Sequence, residues 1–136
     1  MTGMNYINTF IEIAQDCPAR TASAPEMKTG KRTMPALQFE MLANHPYKYT
    51  QEDVLFETYA EYNEIPKPKW PAERTKFFSK GQPCLRCSSL GKRYGWGIHA
   101  DAKGRLALYA IESGDYKRLA GDPSLKHVKA MRSKRG

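Results

Sequence analysis

The sequence predicts an α+β domain of two layers, in which an antiparallel sheet of about four strands carries helices mainly on one face. Two observations predict this class. Residues 5–14 and 93–112 alternate in side-chain character, as strands do. Most of the remaining chain carries apolar side chains at helical spacing, interrupted by turn residues. The predicted order of elements is β-α-α-α-β-β-β-α-α.

The first strand is predicted at residues 5–14, where Ile7, Thr9 and Ile11 share one face. An Asp-Cys-Pro run ends it, and residues 19–32 are small and polar with a cationic end. A structureless stretch of this length inside a domain is typically mobile or functional. The sequence therefore predicts a mobile loop near residues 19–32.

Three helices are predicted next, at residues 33–44, 51–62 and 72–80. Thr50 and Asp53 fit a capping box at the start of the second helix. The proline-rich run at residues 65–71 predicts an extended connector, because proline disrupts a helix interior. Pro71 can occupy the first turn of the third helix.

The clearest supersecondary pattern is a β-hairpin at residues 93–112, with a turn at residues 101–104 that ends in glycine. If Ala100 lies opposite Arg105, counting outward places Trp96 opposite Tyr109. Because opposed residues project from the same side of a sheet, we expect these two rings on one aromatic face.

The other face of this hairpin is predicted to hold Gly95 and Gly97 between Leu106 and Leu108. Such a trough suits a packed helix, because buried leucines need a cover. Trp96 would then lie on the far face, either in the core or at an interface with a second subunit or a ligand.

Two helices are predicted after the hairpin. Ser113 can cap one at residues 114–120, and Ser124 can cap another at residues 125–131. A basic tail at residues 132–136 ends the sequence. With 136 residues and no long linker, we expect a single domain over residues 1–136.

Net charge, hydropathy and cysteine count limit the classes of function that we expect. The chain carries a net charge of +8, which favours contact with polyanions or acidic ligands. It contains no apolar run near the roughly 20 residues of a membrane span, and its N-terminus lacks a signal-peptide pattern. We therefore expect no membrane contact and a cytoplasmic location. Three cysteines, an odd number, argue against a disulfide framework.

Cys84 and Cys87 have the spacing of a redox pair or half of a zinc site. The run at residues 83–87 resembles a strand, on which residues three apart point to opposite faces. A zinc site would also have to recruit Cys17 and His99. The sequence therefore predicts no metal and no cofactor.

The candidate catalytic residues are Cys84 and His99, since nucleophilic thiol catalysis needs a thiolate beside a base. Nothing in the sequence fixes their proximity. Taken together, these sequence features favour a protein that is not an enzyme.

The candidate ligand-binding residues are cations and the aromatic residues near them. Arginine and lysine clusters bind phosphate or carboxylate groups, although a charge cluster is more often a solvated edge. The set comprises Arg86, Lys92, Arg93, Tyr94, Trp96, Tyr109, Arg132, Lys134 and Arg135.

Four motifs, KRYGWGIH at residues 92–99, FFSKGQPCLR at 77–86, KAMRSKR at 129–135 and NTFIEIAQDCP at 8–18, span most of the chain. Together they resemble a family of small, mainly bacterial proteins labelled only as a domain of unknown function. The resemblance implies no activity, cofactor or site residue. The family's pattern has a cysteine at the position of Cys84 but no second one at Cys87, which weakens any two-cysteine chemistry.

Three hypotheses follow. The first is a non-enzymatic binding module for an anionic partner, either nucleic acid or a phosphate-bearing ligand. The second is a small enzyme with a pocket around Cys84, His99 and Trp96. The third is a structural adaptor that forms a homodimer through its aromatic sheet face.

Overall fold

Four strands form one sheet in the computed structural model, which describes residues 5–25 and 32–133. The strands are β1 (Thr9–Glu12), β2 (Trp96–Ala100), β3 (Leu106–Ala110) and β4 (Lys126–Lys129). Within the described ranges there are five helices, α1 (Met34–Asn44), α2 (Gln51–Tyr62), α3 (Trp70–Phe78), α4 (Ser89–Lys92) and α5 (Gly114–Ala120). Two 3₁₀ turns lie at Lys67–Lys69 and Leu85–Cys87.

The strand order is β3-β2-β1-β4. β2 pairs antiparallel with both β1 and β3, whereas β4 pairs parallel with β1. The predicted α+β class with a four-stranded sheet is confirmed, and the sheet is mixed rather than wholly antiparallel.

The prediction of a helix at residues 125–131 is wrong, because this segment is the edge strand β4. Its main chain bonds to β1, with the Lys126 N–H donating to the Asn8 carbonyl at 2.8 Å. Ser124 does not cap a helix, since its N–H and hydroxyl both donate to the Asp122 carboxylate, at 2.8 and 2.7 Å. Val128 packs against the core while Lys129 is exposed, as a period of two requires.

The hairpin exists, but its predicted register is wrong by one residue. Trp96 pairs with Ala110, and Gly97 pairs with Tyr109. The Asp101 carboxylate accepts hydrogen bonds from the N–H groups of Lys103 and Arg105, both at 2.9 Å, and so holds Arg105 in the loop. Trp96 and Tyr109 therefore project from opposite faces, and the predicted aromatic face does not exist.

One face of the sheet, with α1, α2 and α4 against it, forms the main core. Ile98, Ala100 and Leu106 are buried there, and Trp96 packs against the cluster. The Trp96 indole N–H donates to the Ser23 carbonyl at 2.9 Å, and its ring lies 5.3 Å from that of Phe39. Trp96 is therefore half-buried against the main core.

The opposite face carries a smaller core built from β1 and α5. Phe10, Tyr116 and Leu119 are buried in it, with the Phe10 and Tyr116 rings 5.0 Å apart, edge to face. A Cβ on Gly97 would lie 2.6 Å from the Tyr116 ring. A helix thus packs against Gly97, as predicted, but the predicted leucine walls are wrong, because Leu106 and Leu108 belong to the main core on the other face.

Local helix signals agree well with the structure. The capping box at Thr50 and Asp53 is present, and the Thr33 and Ser113 side chains cap α1 and α5. The predicted extended connector at residues 65–71 is wrong, because it contains a 3₁₀ turn and α3 begins at Trp70. Prolines are tolerated there since they occupy first turns, whose N–H groups have no intrahelical partner.

Candidate functional site

Cys84 lines two hollows on the main-core side of the sheet. The first, of about 220 Å³, is largely apolar, and its walls include Met34, Leu55, Tyr59, Phe77 and Cys87. The second, of about 510 Å³, is more polar, and its walls include Asn5, Tyr6, Thr9, Gln51 and Lys126. Both hollows include Cys84 in their walls.

Two side chains fix the backbone and thiol at this position. The fully buried Gln51 side chain accepts the Leu85 N–H at 2.7 Å. The Tyr6 hydroxyl donates to the Cys84 sulfur at 3.3 Å. Burial, followed by the hydrogen bond to Cys84, raises the pKa of Tyr6, so its phenol stays protonated and remains a donor at neutral pH.

Residues 84–87 form a turn and not the predicted strand. The Cys87 N–H donates to the Cys84 carbonyl at 2.9 Å, and the Ser88 N–H donates to the Leu85 carbonyl at 3.0 Å. Cys87 is exposed and Cys84 is half-buried. Because these residues do not form a strand, the predicted placement of the two thiols on opposite faces of a strand loses its basis.

His99 lies on the other side of the sheet from Cys84. It pairs with Phe10, whose side chain belongs to the α5-side core, whereas Leu85 next to Cys84 belongs to the main core. The structure therefore does not bring the two candidate catalytic residues together. It also separates His99 from Trp96.

The partner of His99 is Tyr47, a residue that the sequence analysis missed. The Tyr47 hydroxyl lies 2.8 Å from Nδ1 of His99 and 2.6 Å from the Tyr109 hydroxyl. The main chain of Tyr47 has a φ of 60°, a conformation that non-glycine residues rarely adopt. Neither a glycine nor an asparagine marks this position, so the sequence carries no signal for it.

Removing the His99 imidazole is expected to weaken the dependence of stability on pH. Burial lowers the pKa of His99, outweighing the nearby Asp101 carboxylate, which raises it. As the pH falls through the unfolded value of about 6.5, the unfolded chain binds a proton that the folded chain does not, so the free energy of unfolding falls. Urea unfolding at about pH 7.5 and about pH 5.5 should show a smaller drop in His99→Gln than in the wild type. Equal drops would contradict the account.

Four cations lie at the free edge of the sheet, and we call them the basic edge: Arg86, Lys126, Lys129 and Arg132. Lys126 and Lys129 are exposed on β4, and Arg132 is exposed just after it. The Arg86 side chain reaches the same place, where its Nε donates to the Lys129 carbonyl at 2.7 Å. Arg86 and Arg132 are among the residues that the sequence predicts as ligand-binding, and Lys126 and Lys129 belong to the same basic C-terminal segment as Arg132. Their place beside Arg86 was not predicted, because residues 125–131 were assigned to a helix.

Within residues 5–25 and 32–133, no member of the basic edge forms an ion pair; the pairs found there are Arg32–Glu40, Arg74–Asp53 and Arg118–Asp115. Glu12 stands opposite Lys129 in the parallel pairing of β1 with β4. The Asp16 carboxylate accepts the Ser133 N–H at 2.9 Å. Positive charge therefore predominates at this edge.

The remaining candidate ligand-binding residues are scattered. Lys92 ends α4, and Arg93 follows it as an exposed residue. The Tyr94 carbonyl accepts the Ser23 N–H at 3.0 Å, while Trp96 and Tyr109 lie on opposite faces of the sheet. Lys134 and Arg135 fall outside the described residues, as do residues 26–31 of the predicted mobile loop.

Two further kinds of site are absent from the described residues. They contain no group of three or more histidine, cysteine, aspartate or glutamate residues placed to hold a metal ion. None of their helices has the length and apolar character needed to cross a membrane.

Comparison with known proteins identifies the family. The model of DUF6157, a family of unknown function, matches residues 1–136. The chain belongs to this family. The resemblance to a family without an assigned function is thereby confirmed, and DUF6157 membership brings no activity with it. Neither a search of curated proteins nor a search of solved structures found a match.

Proposed function

We propose that this DUF6157 protein is a non-enzymatic binding module that engages a phosphate-bearing polyanion through its basic edge. One observation supports the proposal most strongly. Four cations, Arg86, Lys126, Lys129 and Arg132, meet at one sheet edge, and none of them has an ion-pair partner among the described residues.

The architecture of the edge suits contact with a polymer. β4 ends the sheet, so no strand of the described residues pairs with its outer side. On a strand, alternate residues point to opposite faces, and Lys126 and Lys129 therefore flank the edge from both sides. Arg86 is held in place by its bond to the Lys129 carbonyl, and Met131 N–H donates back to the Arg86 carbonyl at 2.7 Å. One cation of the four is thus pre-positioned.

Electrostatics supplies the affinity. Cations that contact phosphates release the counterions condensed on a polyanion, and this release drives sequence-independent binding. The net charge of +8 would favour the encounter. Nucleic acid and other phosphate polymers share this chemistry, so the test must distinguish them.

A competing explanation is that lysines on an edge strand only prevent edge-to-edge aggregation. The hypothesis of an enzyme pocket around Cys84, His99 and Trp96 has less support, because His99 lies on the opposite face of the sheet from Cys84 and Trp96. An adaptor that dimerises through an aromatic sheet face also loses its basis, since Trp96 and Tyr109 do not share a face.

The test is a charge reversal at the edge with a matched control. Lys126→Glu, Lys129→Glu and Arg132→Glu are combined in one chain, and Lys69→Glu, Lys76→Glu and Lys80→Glu in another. The control lysines are exposed near α3, so both chains have the same net charge. Fluorescence anisotropy at low salt would measure binding to labelled single-stranded RNA, duplex DNA and inorganic polyphosphate.

We expect the affinity of the edge variant to fall by between about tenfold and about 10³-fold. The affinity of the control variant should fall clearly less. Binding of RNA or DNA but not of polyphosphate would assign nucleic acid as the partner class. Equal losses in the two variants would show that net charge alone drives binding and would overturn the proposal. So would unchanged affinity accompanied by aggregation of the edge variant.

A further inference from the structure

We propose that Cys84 and Cys87 form a dithiol site that exchanges with low-molecular-weight disulfides and is reversibly oxidised to an intrachain disulfide. This site is distinct from the basic edge and does not depend on the proposed function. It rests on the backbone of the turn at residues 84–87, on the shared hollow and on the exposure of the two thiols.

The backbone brings the two residues within disulfide reach. The Cys87 N–H donates to the Cys84 carbonyl at 2.9 Å, which closes a four-residue turn. The end Cα atoms of such a turn lie less than about 7 Å apart. Disulfides usually join Cα atoms separated by about 4.4–6.8 Å. The turn therefore meets the main geometric requirement without rearrangement of the sheet or of the longer helices.

The two side chains also share one environment. Cys84 and Cys87 both lie in the wall of the apolar hollow of about 220 Å³, opposite residues such as Leu55, Tyr59 and Phe77. Apolar and aromatic walls of this kind accommodate the organic part of a small ligand. Cys17, the third cysteine, is not among the residues that line this hollow.

The exposures of the two thiols assign them different roles. Cys87 is exposed and can meet a disulfide from solution, whereas Cys84 is half-buried. The Tyr6 hydroxyl, 3.3 Å from the Cys84 sulfur, restrains the orientation of that side chain. Cys87 is therefore the attacking thiol, and Cys84 is the resolving thiol.

The chemistry balances with a disulfide as the oxidant. The Cys87 thiol loses its proton, and its sulfur attacks one sulfur of the small disulfide, forming a mixed disulfide and releasing one small thiolate. Cys84 then loses its proton and attacks the Cys87 sulfur, forming the Cys84–Cys87 bond and releasing the second thiolate. The protein loses two protons and two electrons, and the small disulfide is reduced to two thiols. Excess small thiol reverses both steps.

The experiment uses the full chain equilibrated in mixtures of reduced and oxidised glutathione, quenched with acid and mapped by mass spectrometry. We expect the main oxidised species to contain one disulfide between Cys84 and Cys87. Cys17→Ser should give the same product at the same ratio of oxidised to reduced glutathione.

Removing the Cys84 thiol should trap the mixed disulfide on Cys87. We expect glutathione on Cys87 to be at least about tenfold more abundant in Cys84→Ser than in the wild type, because an intramolecular thiol acts at an effective concentration on the order of millimolar. Circular dichroism checks that this variant is folded, and Cys84→Ala replaces it if it is not.

A wild-type chain that accumulates glutathione on Cys87 and keeps Cys84 reduced would overturn the proposal. A disulfide that involves Cys17 would overturn it as well. Both results are read on the wild-type protein and do not depend on the folding of any variant.

Discussion

Replacing Phe10 by alanine is expected to destabilise the protein by about 3–5 kcal/mol, the usual cost of deleting a buried aromatic ring. Phe10 is 0% exposed, and its ring meets Tyr116 edge to face at 5.0 Å. Phe10 packs directly against α5, which is also held by the hydrogen bond from the Ile13 N–H to the Tyr116 hydroxyl at 2.9 Å. Urea unfolding monitored by circular dichroism measures the loss.

The matched control is Ile7→Ala, three residues earlier and 55% exposed. Surface substitutions of this kind usually change the free energy of unfolding by about 0.5 kcal/mol or less. A Phe10→Ala loss as small as that of Ile7→Ala would show that α5 does not pack on this face of the sheet.

The substitution Gly97→Ala adds one methyl group and is expected to destabilise the protein by about 1–3 kcal/mol. Without a clash the change would be stabilising, because glycine in a strand interior is less favourable than alanine. A Cβ at Gly97 would lie 2.6 Å from the Tyr116 ring and 2.7 Å from the Phe10 ring. Both rings belong to buried residues, so relief requires α5 or β1 to shift. The same unfolding assay compares Gly97→Ala with the wild type.

Gly114→Ala provides the control for Gly97→Ala. A Cβ on Gly114 would meet no heavy atom of the described residues within 4 Å, and the residue opens α5. Alanine there should leave stability unchanged or raise it by up to about 1 kcal/mol. If Gly97→Ala is as stable as Gly114→Ala, the close approach of α5 to β2 is not present in solution.

The parts of the fold that local chemistry specifies could be predicted from the sequence. The capping residues Thr33, Thr50 and Ser113 mark the starts of α1, α2 and α5, because a side-chain oxygen there satisfies a helix N–H of the same segment. Alternation of side chains likewise identified the hairpin strands, since it reflects burial on one face.

Non-local pairing could not be predicted in the same way. β4 is a strand because it pairs with β1, more than a hundred residues away, and only Val128 among its four residues has a high strand propensity. The observed register goes with a hydrogen bond from the Arg105 N–H to the Asp101 carboxylate, a side-chain contact that alternation along a strand does not reveal. A shift of one residue exchanges the two faces, so it moved Trp96 and Tyr109 apart.

The candidate sites were likewise predictable only where they depend on local sequence features. Charge pointed to Arg86 and to the basic C-terminal segment, but only the position of β4 shows that Lys126 and Lys129 lie beside Arg86. The 3₁₀ turn at Leu85–Cys87 reversed the argument about the two thiols, because that argument depended on a strand. Tyr47 and Gln51 were missed, since their roles arise from partners distant in sequence.

The salt dependence of polyanion binding tests the proposed basic edge most directly. The logarithm of the association constant should fall linearly with the logarithm of the salt concentration, with a slope of about −0.7 per neutralised phosphate for single-stranded RNA. Reversing Lys126, Lys129 and Arg132 should make this slope shallower by about 2, whereas reversing Lys69, Lys76 and Lys80 should leave it unchanged. Identical slopes in the edge variant and the wild type would contradict the assignment of these cations as the binding surface.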